Sequence, residues 1–248
     1  KVTGRSFLFW ISFWYTNTTM KKQKSDLDFI SVASHQLRTP LTLMKGYLSM
    51  ILEGSFGKIK EAKLKAALKV VYQANERLLR LAENLLEMAR LENGRLTLDI
   101  RPFSLDKAIR ELLVEMKPKA AVKGLRLVYK DFLSTGVVNA DEVMLRQVIN
   151  NVLDNAIKYS SAGTIIVSSQ KVGRLIEVGV ADSGPGLSAR EIKGIFKKFE
   201  RGSQSRDGNG FGLGLYIAQL IMKAHGGSIG AEPGKKKGLH VRLRFPAR

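Results

Sequence analysis

Residues 34–42 read Ser34-His35-Gln36-Leu37-Arg38-Thr39-Pro40-Leu41-Thr42. Around them apolar residues recur as Leu27, Ile30, Leu37, Leu41, Met44, Leu48 and Ile51, alternating by three and four with only Ser34 interrupting. That spacing predicts a long helix carrying a coiled-coil seam, from about Lys22 to Glu53. His35 lies one residue off the seam and is expected to face solvent. Pro40 has no amide hydrogen to give to the Gln36 carbonyl, and its ring crowds that carbonyl, so the helix should bend beside His35. An exposed imidazole next to a built-in bend is a candidate nucleophile, although a lone histidine on a helix face carries no function by itself.

Outward from this stretch, Gly54-Ser55-Phe56-Gly57 breaks the helix. A second helix is expected from about Glu61 to Glu92, where Leu64, Leu68, Val71, Leu78, Ala82, Leu85 and Ala89 keep the same rhythm before Asn93-Gly94 stops it. Two antiparallel helices expose an apolar seam that they cannot cover alone. An all-α hairpin that pairs with a second copy into a four-helix bundle is the expected remedy.

After Gly94 the texture changes. Arg101-Pro102-Phe103-Ser104 reads as linker, and short β-rich runs then alternate with amphipathic helices, the pattern of a mixed α/β domain. Helices are expected at Leu105 to Lys123, Glu142 to Tyr159 and Gly214 to His225. Strands are expected at Arg126–Lys130, Val137–Ala140, Thr164–Gln170, Leu175–Ala181, Gly227–Ala231 and Leu239–Phe245. The division predicted is 1–21, a helical hairpin over 22–93, a linker over 94–103 and an α/β domain over 104–248.

Three loci in the second half carry chemistry. Asn151, Asn155 and Lys158 are spaced to fall on one helix stripe, with Tyr159 next to them, while Leu145, Val148, Ile149, Val152 and Ala156 form the apolar stripe opposite. The amide oxygen of Asn155 can ligate Mg²⁺, which keeps several waters and takes phosphate oxygens as further ligands, and Lys158 offers charge to a phosphate. An ordinary polar helix face has the same composition. Asp182-Ser183-Gly184-Pro185-Gly186 follows a strand with Ile176, Val178 and Val180 on one face; the carboxylate could accept a hydrogen bond from an exocyclic amine, yet a plain turn looks alike. Gly210-Phe211-Gly212-Leu213-Gly214-Leu215 opens a helix, so backbone amides and the helix start together form an anion cradle. The preceding Glu200 to Asn209 has the polar, Gly/Ser-rich composition of a mobile lid.

Composition bounds the alternatives. The 248 residues hold no Cys, which excludes disulfides, thiolate metal sites and cysteine nucleophiles. A net charge of +19 invites nucleic acid or an anionic membrane, but basic residues are spread along the chain with only a short run at Lys235-Lys236-Lys237, and no nucleic-acid motif is present. Direct nucleic-acid binding is therefore not expected. Ser6 to Tyr15 holds both Trp residues and is followed by Lys21, Lys22 and Lys24. Ten helical residues rise only ~15 Å against a hydrocarbon core of ~30 Å, so this piece cannot span a bilayer. It fits the cytoplasmic end of a membrane helix, with membrane attachment and a cytoplasmic catalytic portion as the consequence; a remnant unrelated to the fold fits as well.

The stretch 34–42 resembles the phospho-acceptor box of the sensor histidine kinases, except that Gln36 stands for the usual acid. In the second half, Asn151, Asn155, Lys158 and Tyr159 are similar to that family's asparagine box. Asp182, Gly184 and Gly186 resemble its first glycine box, Phe196, Phe199 and Arg201 its phenylalanine box, and Gly210, Gly212 and Gly214, with Leu213 and Leu215 among them, its second glycine box. The resemblance covers roughly residues 22–248. It implies a homodimeric four-helix bundle followed by a two-layer α/β sandwich of the Bergerat type, shared with gyrase, Hsp90 and the mismatch-repair ATPases. It further implies that ATP with Mg²⁺ phosphorylates His35, and that the phosphoryl group passes to an Asp on a response-regulator receiver domain. Thr39 matches the position linked to dephosphorylating that partner. His225-Gly226-Gly227 also fits the family and reads as a helix C-cap, and His240 as structural. Two other readings stay open at this level: another ATPase of the same group, with His35 incidental, and a non-catalytic dimeric scaffold.

Overall fold

The computed structural model describes residues 30–94, 97–131, 137–200, 211–234 and 237–246. They belong to two compact units, divided between Arg95 and Leu96.

The first unit is a helical hairpin. Its first helix, α1, is helical from residue 30 to residue 53 without interruption at Pro40. It ends where Gly54, at φ 89°, reverses the chain: the amides of Gly54 and Ser55 donate back to the carbonyls of Ile51 (3.2 Å) and Met50 (2.9 Å), the paired bonds of a Schellman motif. The second helix, α2 (Ala62–Glu92), stops at Asn93 with Gly94 at φ 64°. Arg38 pairs with Glu83 at 3.6 Å and Lys45 with Glu76 at 2.9 Å, so the helices run antiparallel. The seam expected from the sequence resolves into separate heptad lines. On α1, Ser34 and Leu41 are buried, and on α2 so are Asn75, Ala82 and Ala89, each seven residues after the last. The other lines stay open in a single chain: Leu37 and Met44 are 53% and 48% exposed, and Leu64, Val71 and Leu78 are 49%, 48% and 51% exposed.

The second unit is two-layered. Strands β2 (Leu125–Asp131), β4 (Gly163–Val172), β5 (Leu175–Ala181), β7 (Leu239–Pro246) and β6 (Ser228–Pro233) form one sheet in that spatial order, parallel between β2 and β4 and antiparallel elsewhere. Helices α3 (Leu105–Ala121), α4 (Glu142–Tyr159) and α6 (Gly214–Ala224) pack on it. The core forms where Leu145, Val148, Ile149, Val152, Leu153 and Ile157 of α4 meet Ile217 and Ile221 of α6 above Val167, Val178, Val180, Leu243 and Phe245, all buried. Helix α4 begins where the sequence puts it because Asp141 caps it, its Oδ1 accepting from the Met144 amide at 3.0 Å.

Two elements depart from the sequence reading. Residues 101–104, expected as linker, form β1 (Arg101–Ser104), paired antiparallel with β3 (Val137–Ala140). A two-stranded edge tolerates Pro102, whose missing amide leaves no central ladder bond broken. A short helix, α5 (Ala189–Ile192), was not anticipated; Ser188 and Glu191 build a capping box around it. His225 is the C-cap of α6, with Gly226 at φ 69° following it. Its ring is buried, accepting from the Asp141 amide at Nε2 (3.2 Å), while Nδ1 faces the Ile221 carbonyl at 2.9 Å. It thereby ties the end of α6 to the start of α4. His240 lies over Gly179 on the sheet and reaches Glu232 at 3.2 Å, a structural placement.

Candidate functional site

In the first unit His35, Gln36 and Thr39 are all exposed, with Thr39 one turn beyond His35 on α1. The neighbouring Thr42 hydroxyl donates to the Arg38 carbonyl at 2.8 Å, one turn back in the same helix. The histidine itself offers a free ring face to solvent.

In the second unit α4 delivers Asn151, Asn155, Lys158 and Tyr159 to the region where two glycine-containing loops meet. The Asn151 side chain donates to the Gly214 carbonyl at 3.3 Å, joining the middle of α4 to the first residue of α6. At the end of α4, Gly184 lies so close that a Cβ there would stand 2.9 Å from the Tyr159 carbonyl and 3.0 Å from Asp182 Oδ1. Only glycine lets the loop after β5 touch the helix at this point. Asp182 Oδ1 accepts from the amides of Gly184 (2.8 Å) and Leu239 (3.1 Å), so this carboxylate oxygen builds the loop. Burial pushes the Asp182 carboxyl above the ordinary aspartate value, and the two amide bonds offset this only in part.

The start of α6 suits an anion. Leu213 occupies the N-cap position without a side-chain hydrogen bond, and the first turn carries no acid. Gly212, at φ 68°, lies against the backbone of Phe199 and Glu200, where a Cβ would meet atoms at 2.7 Å. The Phe199 amide donates to the Gly212 carbonyl at 3.1 Å, and Phe199 itself is held at φ 60°, a left-handed conformation rare for an aromatic residue. Phe196 is half-buried beside it in the chain. Gly186, Leu213, Gly214 and Leu215 fall within the same loops and helix start. Arg201, Gly210 and the expected lid from Glu200 to Asn209, apart from Glu200 itself, lie outside the described residues.

Among the described residues the Asn155 side chain makes no hydrogen bond, although it is half-buried and on the stripe with Lys158, whose Nζ sits 4.9 Å from the Tyr159 ring centre. An uncommitted amide oxygen beside a cation and uncapped helix amides fits the donor set for a phosphate-bound Mg²⁺. The sequence reading missed Lys123. Its Nζ donates to the carbonyls of Ile157 (2.9 Å) and Lys158 (2.7 Å), and Ser160 lies at 3.5 Å, so it closes the end of the helix that presents Lys158 and Tyr159. A lysine just past α3 carries no sequence signal for this, because the two helices meet only in the folded unit.

A helical hairpin with an exposed histidine followed by a two-layer α/β unit with an anion cradle defines a phospho-acceptor and nucleotide-binding arrangement. Residues 25–94 match the His Kinase A (phospho-acceptor) domain. Residues 140–248 match the histidine kinase-, DNA gyrase B- and HSP90-like ATPase family. The circadian input-output histidine kinase CikA of Synechococcus elongatus is 32% identical over 210 residues, covering 83% of this chain and 28% of that protein. A sensor-like histidine kinase of Rhizobium meliloti is 28% identical over 222 residues, covering 88% and 42%. Full-length ShkA, crystallised with AMPPNP, superposes with a TM-score of 0.75 at 27% identity over 88% of this chain and 45% of that one. Histidine kinase AdeS of Acinetobacter baumannii does so at 0.63 and 25% identity, over 86% and 98%. The chain belongs to the histidine kinases, and it spans less than half the length of both curated relatives.

Proposed function

We propose that this chain is the catalytic portion of a sensor histidine kinase: bound to ATP with Mg²⁺ it phosphorylates His35 and then hands the phosphoryl group to an aspartate of a response-regulator receiver domain. In this reading residues 22–93 are the dimerisation and phospho-acceptor hairpin, 94–103 join it to the second domain and 104–248 bind the nucleotide. The observation that carries the reading is the convergence of three separated loci, through Asn151 on Gly214 and Gly184 on Tyr159, around an uncapped helix start. Asp182 takes the adenine amine, Tyr159 and Phe199 flank the nucleotide, and the amides of 210–215 with Lys158 and Arg201 take the phosphates. Asn155 holds Mg²⁺, which when bound neutralises phosphate charge.

His35 attacks through an unprotonated ring nitrogen, and in-line positioning with charge neutralisation carries most of the rate. Gln36 accepts a hydrogen bond from the other ring nitrogen through its amide oxygen, and Thr39 serves dephosphorylation of the partner by orienting the water that hydrolyses its phospho-aspartate. The open heptad lines of the hairpin support a homodimer, and the aromatic and lysine-rich residues 6–24 support membrane attachment with the catalytic portion in the cytoplasm. Among the described residues no helix is long and apolar enough to cross a membrane.

Incubation with γ-labelled ATP and Mg²⁺ tests the reading. Wild type should gain a base-stable, acid-labile label that His35→Gln lacks; a label that survives in His35→Gln, or no label in wild type, defeats it.

A further inference from the structure

The hairpin seam is apolar except at Ser34 and Asn75, and both are 2% exposed. Asn75 stands on the heptad line Leu68–Asn75–Ala82–Ala89, at the place where a coiled coil ordinarily packs an aliphatic side chain. Its Nδ2 donates to the Leu41 carbonyl at 2.8 Å, across from α2 to α1. Its Oδ1 is buried and, among the described residues, has no hydrogen-bond partner. A buried acceptor without a protein partner lowers stability, and an apolar residue of the same volume would be neutral or better. Packing therefore does not explain the asparagine. Its one bond does something an aliphatic side chain cannot.

The bond falls next to the weak point of α1. Leu41 follows Pro40, the residue that cannot donate to the Gln36 carbonyl. Beyond it, Lys45 and Glu76 hold the helices together at 2.9 Å. Before it, on the His35 side, the corresponding tie is Arg38 to Glu83 at 3.6 Å, with both side chains about half exposed. Both ion pairs are part-exposed and contribute little, so the buried Asn75 bond, beside the Pro40 break, is the firmest polar tie described between α1 and α2.

We propose that Asn75 is a positioning residue for phosphoryl transfer: by holding the Leu41 carbonyl it fixes the pivot about which the Pro40-weakened, His35-bearing part of α1 swings into line. This rests on His35 being the phospho-acceptor. Asn75 touches no reacting atom. Its removal changes where His35 can go and leaves nucleotide binding alone.

The test uses the whole chain with Asn75→Leu, which fills the site but cannot donate, and Asn75→Gln, which keeps a donor on a longer arm. Because the chain has no Cys, spin labels can be placed uniquely at the exposed positions Val32 and Arg90 on one side of Pro40, and Tyr47 and Val70 on the other, with labelled chain diluted in unlabelled. In Asn75→Leu the melting temperature should hold or rise and the Kd for ATP should stay. The single-turnover rate of labelling His35 should fall about tenfold or more, the size a misplaced reacting group costs. The Val32–Arg90 distance distribution should broaden while Tyr47–Val70 does not, and Asn75→Gln should recover part of the rate. A full rate in Asn75→Leu overturns the proposal, as does a loss of rate that accompanies a lower melting temperature with both distances unchanged. Absence of label in wild type instead defeats the phospho-acceptor reading itself.

Discussion

Gln36 and Asp182 show how single residues set the chemistry of this chain. An acid beside the phospho-acceptor can hold the second ring nitrogen and carry the charge formed on attack, whereas the Gln36 amide brings a dipole and no charge. Gln36→Glu should therefore raise the single-turnover rate of His35 phosphorylation by about tenfold or more, read with saturating ATP; an unchanged rate would show that charge there is irrelevant. In the proposed site Asp182 accepts the adenine amine most strongly as a carboxylate. With its pKa raised by burial, the ionised form is lost at a higher pH than for an ordinary aspartate, so ATP affinity should begin to weaken on acidification earlier than an ordinary aspartate would allow. The same sign means that ionising Asp182 costs the fold some stability, which returns as the pH falls through the raised pKa. Asp182→Asn should bind ATP roughly tenfold to a hundredfold more weakly, as loss of a hydrogen bond to a charged acceptor does, and should lack this part of the pH dependence while retaining the part due to the nucleotide phosphates. Both residues were legible as candidates because the chemistry sits in their side chains. That Asp182 Oδ1 would be committed to the Gly184 and Leu239 amides was not, since Leu239 lies far along the chain on another strand.

At the scale of the element, α4 is the part the second unit is built around. Its apolar stripe was readable from the three-four spacing, and its bounds agree with the sequence reading, with Asp141 capping its start. Its end depends on Lys123, which satisfies carbonyls that no residue of the helix can reach. Lys123→Met keeps the stem and removes the cap. It should cost about 1 kcal/mol, a fall of roughly 2–4 °C in the melting temperature of a unit this size, and should weaken ATP binding by loosening Lys158 and Tyr159. Lys123→Arg should restore most of both, as thermal unfolding and calorimetric titration would report. The strand β1 escaped the sequence reading for the opposite reason: four residues with a proline carry no periodicity, and their pairing with β3 is a contact across the whole of α3.

For the molecule as a whole, the hairpin leaves Leu37, Met44, Leu64, Val71 and Leu78 in the open, the larger part of a coiled-coil face. Light scattering at micromolar concentration should give twice the mass of one chain, and Val71→Glu combined with Leu78→Glu should halve it by placing charges in that face. A single-chain mass for wild type would contradict the pairing. The order of helices and strands apart from β1 and α5, the His35 box and the glycine loops were determined by the sequence itself, because they follow from periodicity, capping and turn chemistry, all of which act within a few residues. Which heptad line would be covered, why Ser34 and Asn75 interrupt the seam, and how Lys123, Asn151 and Gly184 bring three loci together were decided only by the tertiary structure. Those contacts join residues tens of positions apart, where shape and burial choose the partner and local spacing carries no information.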